Sequence, residues 1–245
     1  FAAAEAGQLG SKEEVEKQAR RMLDDPRAHE AIAEFHMQWL DYDRIGNITK
    51  DAALFPDYSP AIGTMMREEM RSFVDHTVFD AGGDLATLLT APYSYMPPEL
   101  ATFYGLTPPA DAQPGQVVKV DFDPTQRGGL LTLGALLAIN AHTNQTSPVH
   151  RGKLVREQLL CFQMAPPPPN VNPKAPEPVT GTTAKERFAE HSKNEECKGC
   201  HVYMDSIGFG FETFDSIGRY RTMDDGTPID PTGSVFDSDV PDFKD

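Results

Sequence analysis

Cys197-Lys198-Gly199-Cys200-His201 sets two thiols three positions apart, immediately before an imidazole. This is the attachment signature of a c-type haem. Two sulfurs at that spacing reach the two vinyl groups of one porphyrin, and the adjacent imidazole is held under the iron as its proximal ligand. The other readings of a cysteine pair fit less well. Cys161 is the only further cysteine, so a four-ligand structural zinc would have to recruit distant histidines. A thioredoxin-like dithiol needs a strand before the pair, and Asn194-Glu195-Glu196 is no strand. The pattern predicts one covalent haem c on Cys197, Cys200 and His201, with His201 as the iron ligand.

A haem there needs an apolar wall, counter-charges and a sixth position. Phe209, with Phe211, Phe214 and Ile217, supplies apolar surface that lowers the local dielectric. Arg219 and Arg221 are candidates to pair with the propionates, since guanidinium forks suit carboxylates. Two residues are candidates for the sixth ligand. Met223 is separated from His201 by Gly208, Gly210 and Gly218, which let the chain wrap the ring edge; His142 lies in a polar loop, Ala141 to Pro148. Met204 is too close to His201 to reach the far face and is expected to be a packing residue. The plainer readings stand beside these: Met223 as a surface residue, His142 as a hydrogen-bonding loop residue, the arginines as solvated charges, and a sixth site left vacant.

A net charge of -15 and the absence of any run of Lys or Arg argue against nucleic acid. The longest apolar stretch, residues 128–139, is about half of the roughly 20 residues that a membrane span needs, so no span is expected. The C-terminal aspartates lack the spacing of a twelve-residue calcium loop. Cys161, in the apolar run Leu159-Leu160-Cys161-Phe162, is expected to be buried. Both ends read as cuts in a longer polypeptide, and covalent haem attachment predicts an exported, periplasmic or cell-surface parent.

Helical signals dominate, and the expected fold is mainly α. Ser11-Lys12-Glu13-Glu14 is a capping box, followed by Val15, Ala19, Met22 and Leu23 at helical spacing. A second helix is predicted from Arg27 to Leu40, with Ala31, Phe35, Gln38 and Trp39 near one face, and a third from Ser59-Pro60, with Ile62, Met65, Met66, Met70, Phe73 and Val74 in its buried stripe. A short helix from Pro98 to Tyr104 ends at Gly105; residues 117–120 alternate and read as a strand or as merely extended chain; further helices are predicted at 129–139 and 149–162. Prolines 166–169, 173, 176 and 178 favour extended chain. Thr183-Ala184-Lys185-Glu186 then caps a short helix leading to Cys197. The expected organisation is a helical domain over 1–105, a loop with a two-helix extension over 106–165, a Pro-rich linker over 166–182, and a small cytochrome c-like haem module with long loops over 183–245.

Several stretches together carry a family resemblance. They are Arg127-Gly128-Gly129-Leu130-Leu131-Thr132, Thr146-Ser147-Pro148-Val149-His150-Arg151-Gly152-Lys153, Leu159-Leu160 running into the prolines, and Cys200-His201 with Met204-Asp205-Ser206-Ile207-Gly208-Phe209-Gly210-Phe211-Glu212. With Gln38-Trp39-Leu40 and Leu54-Phe55-Pro56, these resemble the large exported multidomain c-type cytochromes of planctomycetes and myxobacteria, in which domains of unknown function flank a haem motif. Ser206 stands where that family commonly has Pro. The resemblance implies haem binding, export and further domains of a longer parent, and supplies no reaction. Three functions are therefore expected, in order: electron transfer to a redox protein partner through one haem; a peroxidase- or oxygenase-like haem enzyme with an open sixth site, His142 serving as acid or base; and an assembly module gripping a partner protein or a glycan.

Overall fold

The computed structural model describes residues 1–167, 169, 174–193 and 195–243. After a single turn, α1 (Ala2–Glu5), the helix α2 (Lys12–Leu23) is set by its capping box: Ser11 Oγ accepts the Glu14 N–H at 3.2 Å and Glu14 Oε2 accepts the Ser11 N–H at 3.1 Å. None of its residues is buried, and Val15, Met22 and Leu23 face outward. The next helix, α3 (Arg27–Leu40), has the predicted bounds but buries a different face. Ala33, His36 and Leu40 point inward while Ala31, Phe35 and Gln38 are exposed. Trp39 is half-buried and donates Nε1–H to the Gln158 carbonyl at 3.1 Å.

The long helix α4 (Pro60–Phe79) is the spine of the molecule. Ser59 caps it, Pro60 occupies its first turn, and of the predicted stripe Met66, Met70, Phe73 and Val74 are wholly buried while Ile62 and Met65 are partly buried. Asp84 caps α5 (Leu85–Thr90), which leads to strand β1 (Tyr93–Met96), α6 (Pro98–Phe103) and strand β2 (Val118–Asp121). The two strands pair antiparallel, Tyr93 opposite Asp121 and Met96 opposite Val118. The alternation at 117–120 is thus a strand whose partner no local pattern announces.

The apolar run at 129–139 forms a shorter helix than predicted, α7 (Gly134–Ile139), after a 3-10 turn at Leu130–Thr132. The break lies at Leu133, which is extended (φ -71°, ψ 142°) between the 3-10 turn and α7; before the turn, Gly129 has φ 63° and a side-chain carbon there would stand 2.1 Å from the Leu89 backbone. All six residues of α7 are buried, and Ala135, Leu136, Ala138 and Ile139 join Leu40, Tyr42, Met66, Phe73, Leu100 and Tyr104 in one core. Likewise 149–162 is not one regular helix: α8 (Pro148–Leu154) widens into a π turn at Val155–Leu159 and stops. Cys161 follows with φ 55° and is exposed, contrary to the burial expected from its apolar neighbours; the left-handed residue that ends the turn faces solvent.

Residues 168 and 170–173 of the expected Pro-rich linker lie outside the described residues. The chain continues through α9 (Ala184–His191), α10 (Glu195–His201) and α11 (Asp205–Phe209), then a two-stranded turn of β3 (Met223–Asp224) and β4 (Thr227–Pro228). Helices dominate and strands are few and short, a mainly α structure. No helix among the described residues is long and apolar enough to cross a membrane.

Candidate functional site

Cys197, Cys200 and His201 lie within the seven residues of α10. At helical spacing, positions i, i+3 and i+4 share one face, so the two thiols and the imidazole are presented together. Cys197 is buried and Cys200 partly buried, and both are free thiols. His201 is held from the next helix: its Nδ1 lies 3.0 and 3.1 Å from the two carboxylate oxygens of Asp205. Asp205 is buried and accepts a hydrogen bond from Ser192 Oγ at 2.8 Å.

Three contacts fix α11 and the link that joins it to α10. The Arg156 Nε–H donates to the Tyr203 carbonyl at 2.9 Å, and its guanidinium lies over the Tyr203 ring. Gly152 in α8 abuts the Met204 carbonyl so closely that a side-chain carbon would stand 1.8 Å from the oxygen; Gly208 in α11 meets the Pro148 carbonyl in the same way, at 1.9 Å. Two helices with facing glycines approach backbone to backbone. Met204 is buried, as its expected packing role requires.

Beneath this link lies a buried charge lattice. Arg151 is 2% exposed and donates Nη1 to the carbonyls of Phe211 and Phe214 and Nη2 to those of Asp215 and Leu137. Its partner Glu212, 3.8 Å away, also accepts from Thr146 Oγ1 at 2.6 Å and pairs with Arg221 at 3.3 Å. Burial pushes the Glu212 carboxyl upward and draws the Arg151 guanidinium down to about 10, each opposed by the other's charge. Sequence reasoning gave neither residue a role, and no local signal could have: they are 61 positions apart.

The other candidates are placed as follows. Phe209 packs with Phe188 and Ala184 in a small second core. Arg219 donates to the Phe103 carbonyl at 3.0 Å and to Asp57 at 2.8 Å, and Arg221 is engaged by Glu212 and Asp224. Met223 is 46% exposed on β3. The His142 ring lies 5.2 Å from that of His150, on the wall of a cavity shared with Lys50; burial, then the Lys50 charge, holds it below its usual range. The structure thus gathers Cys197, Cys200 and His201 on one turn, adds Asp205 to them, and engages both arginines with protein partners.

Residues 127–224 match the family model PSCyt3, described as a protein of unknown function (DUF1588), and residues 1–106 match PSD4, described as a protein of unknown function (DUF1592). The chain carries two domains of unknown function. The DUF1588 match holds the thiol pair, His201, Asp205 and every member of the buried charge lattice, and it spans the Pro-rich stretch. The DUF1592 match ends two residues after Tyr104, whose hydroxyl donates to buried Glu69 at 2.7 Å. No curated protein and no solved structure matches the chain.

Proposed function

We propose that the chain carries one covalently attached haem c and passes single electrons to a redox protein partner, within an exported parent protein. The observation that supports this reading is the common face of Cys197, Cys200 and His201 on one turn of α10, with His201 anchored by buried Asp205. Thiols so placed meet the edge of one flat macrocycle together, and the donor set of two sulfurs and an imidazole fits a c-type haem. When bound, the haem supplies an iron that cycles between ferric and ferrous states. The chain's own residues hold the geometry constant. Arg156, Gly152 and Gly208 fix the link on which the imidazole stands, so His201 keeps its orientation when the charge changes. A net charge of -15 suits a basic partner, steered in by long-range attraction.

The test is expression of the chain in a host that matures c-type cytochromes, followed by intact-mass analysis and a pyridine haemochrome assay. The expected product carries the mass of one haem, is reversibly reduced and has a low-spin six-coordinate spectrum. Cys197→Ala with Cys200→Ala should abolish the covalent adduct. A bare polypeptide from that host refutes the proposal, and a high-spin spectrum would move the assignment from carrier to haem enzyme.

A further inference from the structure

The sequence motif names the iron ligand but says nothing of what holds its other nitrogen. In the structure that nitrogen, His201 Nδ1, lies almost equidistant from the two oxygens of Asp205, at 3.1 and 3.0 Å. A carboxylate can only accept in such a contact, so Nδ1 is the donor and Nε2 is the ring nitrogen that would meet the iron. Asp205 is itself 5% exposed and is steadied by the Ser192 hydroxyl, which donates to Oδ2 at 2.8 Å. Ser192 follows α9, His201 ends α10 and Asp205 begins α11, so the chain Ser192–Asp205–His201 ties three elements at one point.

Resting on the haem reading above, we infer that Asp205 is a positioning residue that fixes His201 as the Nδ1–H tautomer and lowers the reduction potential of the haem. The physical argument has two parts of the same sign. An anionic acceptor draws the Nδ1 proton toward itself and makes the imidazole a stronger electron donor, which favours ferric over ferrous iron. The buried negative charge favours the more positive iron state directly, and burial limits its screening by water. Ser192 opposes both effects, because each hydrogen bond it donates withdraws charge from the carboxylate.

Two substitutions test this in the haem-loaded chain by spectropotentiometric titration. Asp205→Asn keeps the shape and an oxygen acceptor but removes the charge; its midpoint should rise, the ferrous form gaining by about tenfold, ~59 mV for a one-electron couple. Ser192→Ala removes the moderating donor; its midpoint should fall, by a few-fold in the same equilibrium. Opposite shifts at unchanged haemochrome yield separate tuning from mere loosening of the site, which would move both variants the same way. Haem-loaded variants with the wild-type midpoint, or two shifts of one sign, overturn the inference while leaving the haem reading intact. Should Asp205→Asn not retain haem, the direction of the Ser192→Ala shift alone decides. A wild-type chain without haem overturns the functional reading instead.

Discussion

One guanidinium, that of Arg151, holds four backbone carbonyls drawn from two distant stretches, at 2.7 to 3.3 Å. A lysine carries one compact ammonium and cannot span that fan, so Arg151→Lys should cost about 2–4 kcal/mol in urea unfolding. Arg151→Met should cost more, about 3–5 kcal/mol, since it strands Glu212 in the interior. An Arg151→Met variant as stable as wild type would mean that Arg221 and Thr146 suffice to hold Glu212. A second buried acid gives a pH signature. Burial pushes the Glu69 carboxyl from its ordinary 4.5 up to about 7, against the pull of the Tyr104 hydroxyl and the Arg127 charge. The folded state therefore binds this proton more tightly than the unfolded chain does. Glu69's contribution to stability is complete below pH 4.5 and is lost as pH rises through about 7, on the order of 3 kcal/mol in all. Glu69→Gln does not titrate, so wild-type stability minus variant stability should fall across that window. A difference that stays flat from pH 4.5 to 8 would contradict it.

At the scale of elements, the contact of α8 with α11 depends on two glycines, while the glycine inside the thiol motif is free of any such demand. A side-chain carbon at Gly152 would stand 1.8 Å from the Met204 carbonyl, whereas at Gly199 it meets nothing within 4 Å. Gly152→Ala should therefore lower stability by about 1–3 kcal/mol or more by forcing the helices apart. Gly199→Ala should leave it unchanged or raise it by up to about 1 kcal/mol, as alanine is the better helix former. Thermal melts of the two variants check both; equal melting temperatures would show that the helices can separate without cost. The same contrast explains what the sequence discloses. Features set by neighbours three or four residues away are legible: the Ser11–Glu14 cap, the bounds of α3, the stripe of α4, and the thiol pair with its histidine. Asp205 was within reach too, four residues after His201. What depends on remote partners is not legible. The strand at Tyr93–Met96 needs Val118–Asp121, the close approach of Gly129 to the Leu89 backbone joins positions 40 apart, and the inward face of α3 is chosen by what packs on it.

Over the whole molecule, the two matched segments share their interior. Leu40, Met66, Phe73 and Tyr104 pack in one core with Leu130, Leu133, Leu136 and Ile139. Arg127 lies with its guanidinium 4.6 Å from the centre of the Tyr104 ring and 4.9 Å from that of Phe214, and donates to the Gly218 carbonyl at 2.6 Å. Arg219 reaches back to Phe103 and Asp57, and Trp39 to Gln158. Removing one segment would expose the apolar residues that cover the other, at about 1.5–3 kcal/mol for each large side chain returned to water. Independent melting of the two segments is therefore more costly than joint melting, and the chain should unfold in one cooperative step. Trp39, the sole tryptophan, sits at the junction and reports on it by fluorescence, while far-ultraviolet circular dichroism reports on helices throughout. The two urea transitions should superimpose. Arg127→Met, which leaves the Thr132 and Gly218 carbonyls without their donor, should move both transitions together to lower urea. Fluorescence that changes well before the circular dichroism would instead mean that the segments part first, and that the shared core is a weaker bond than its buried side chains imply.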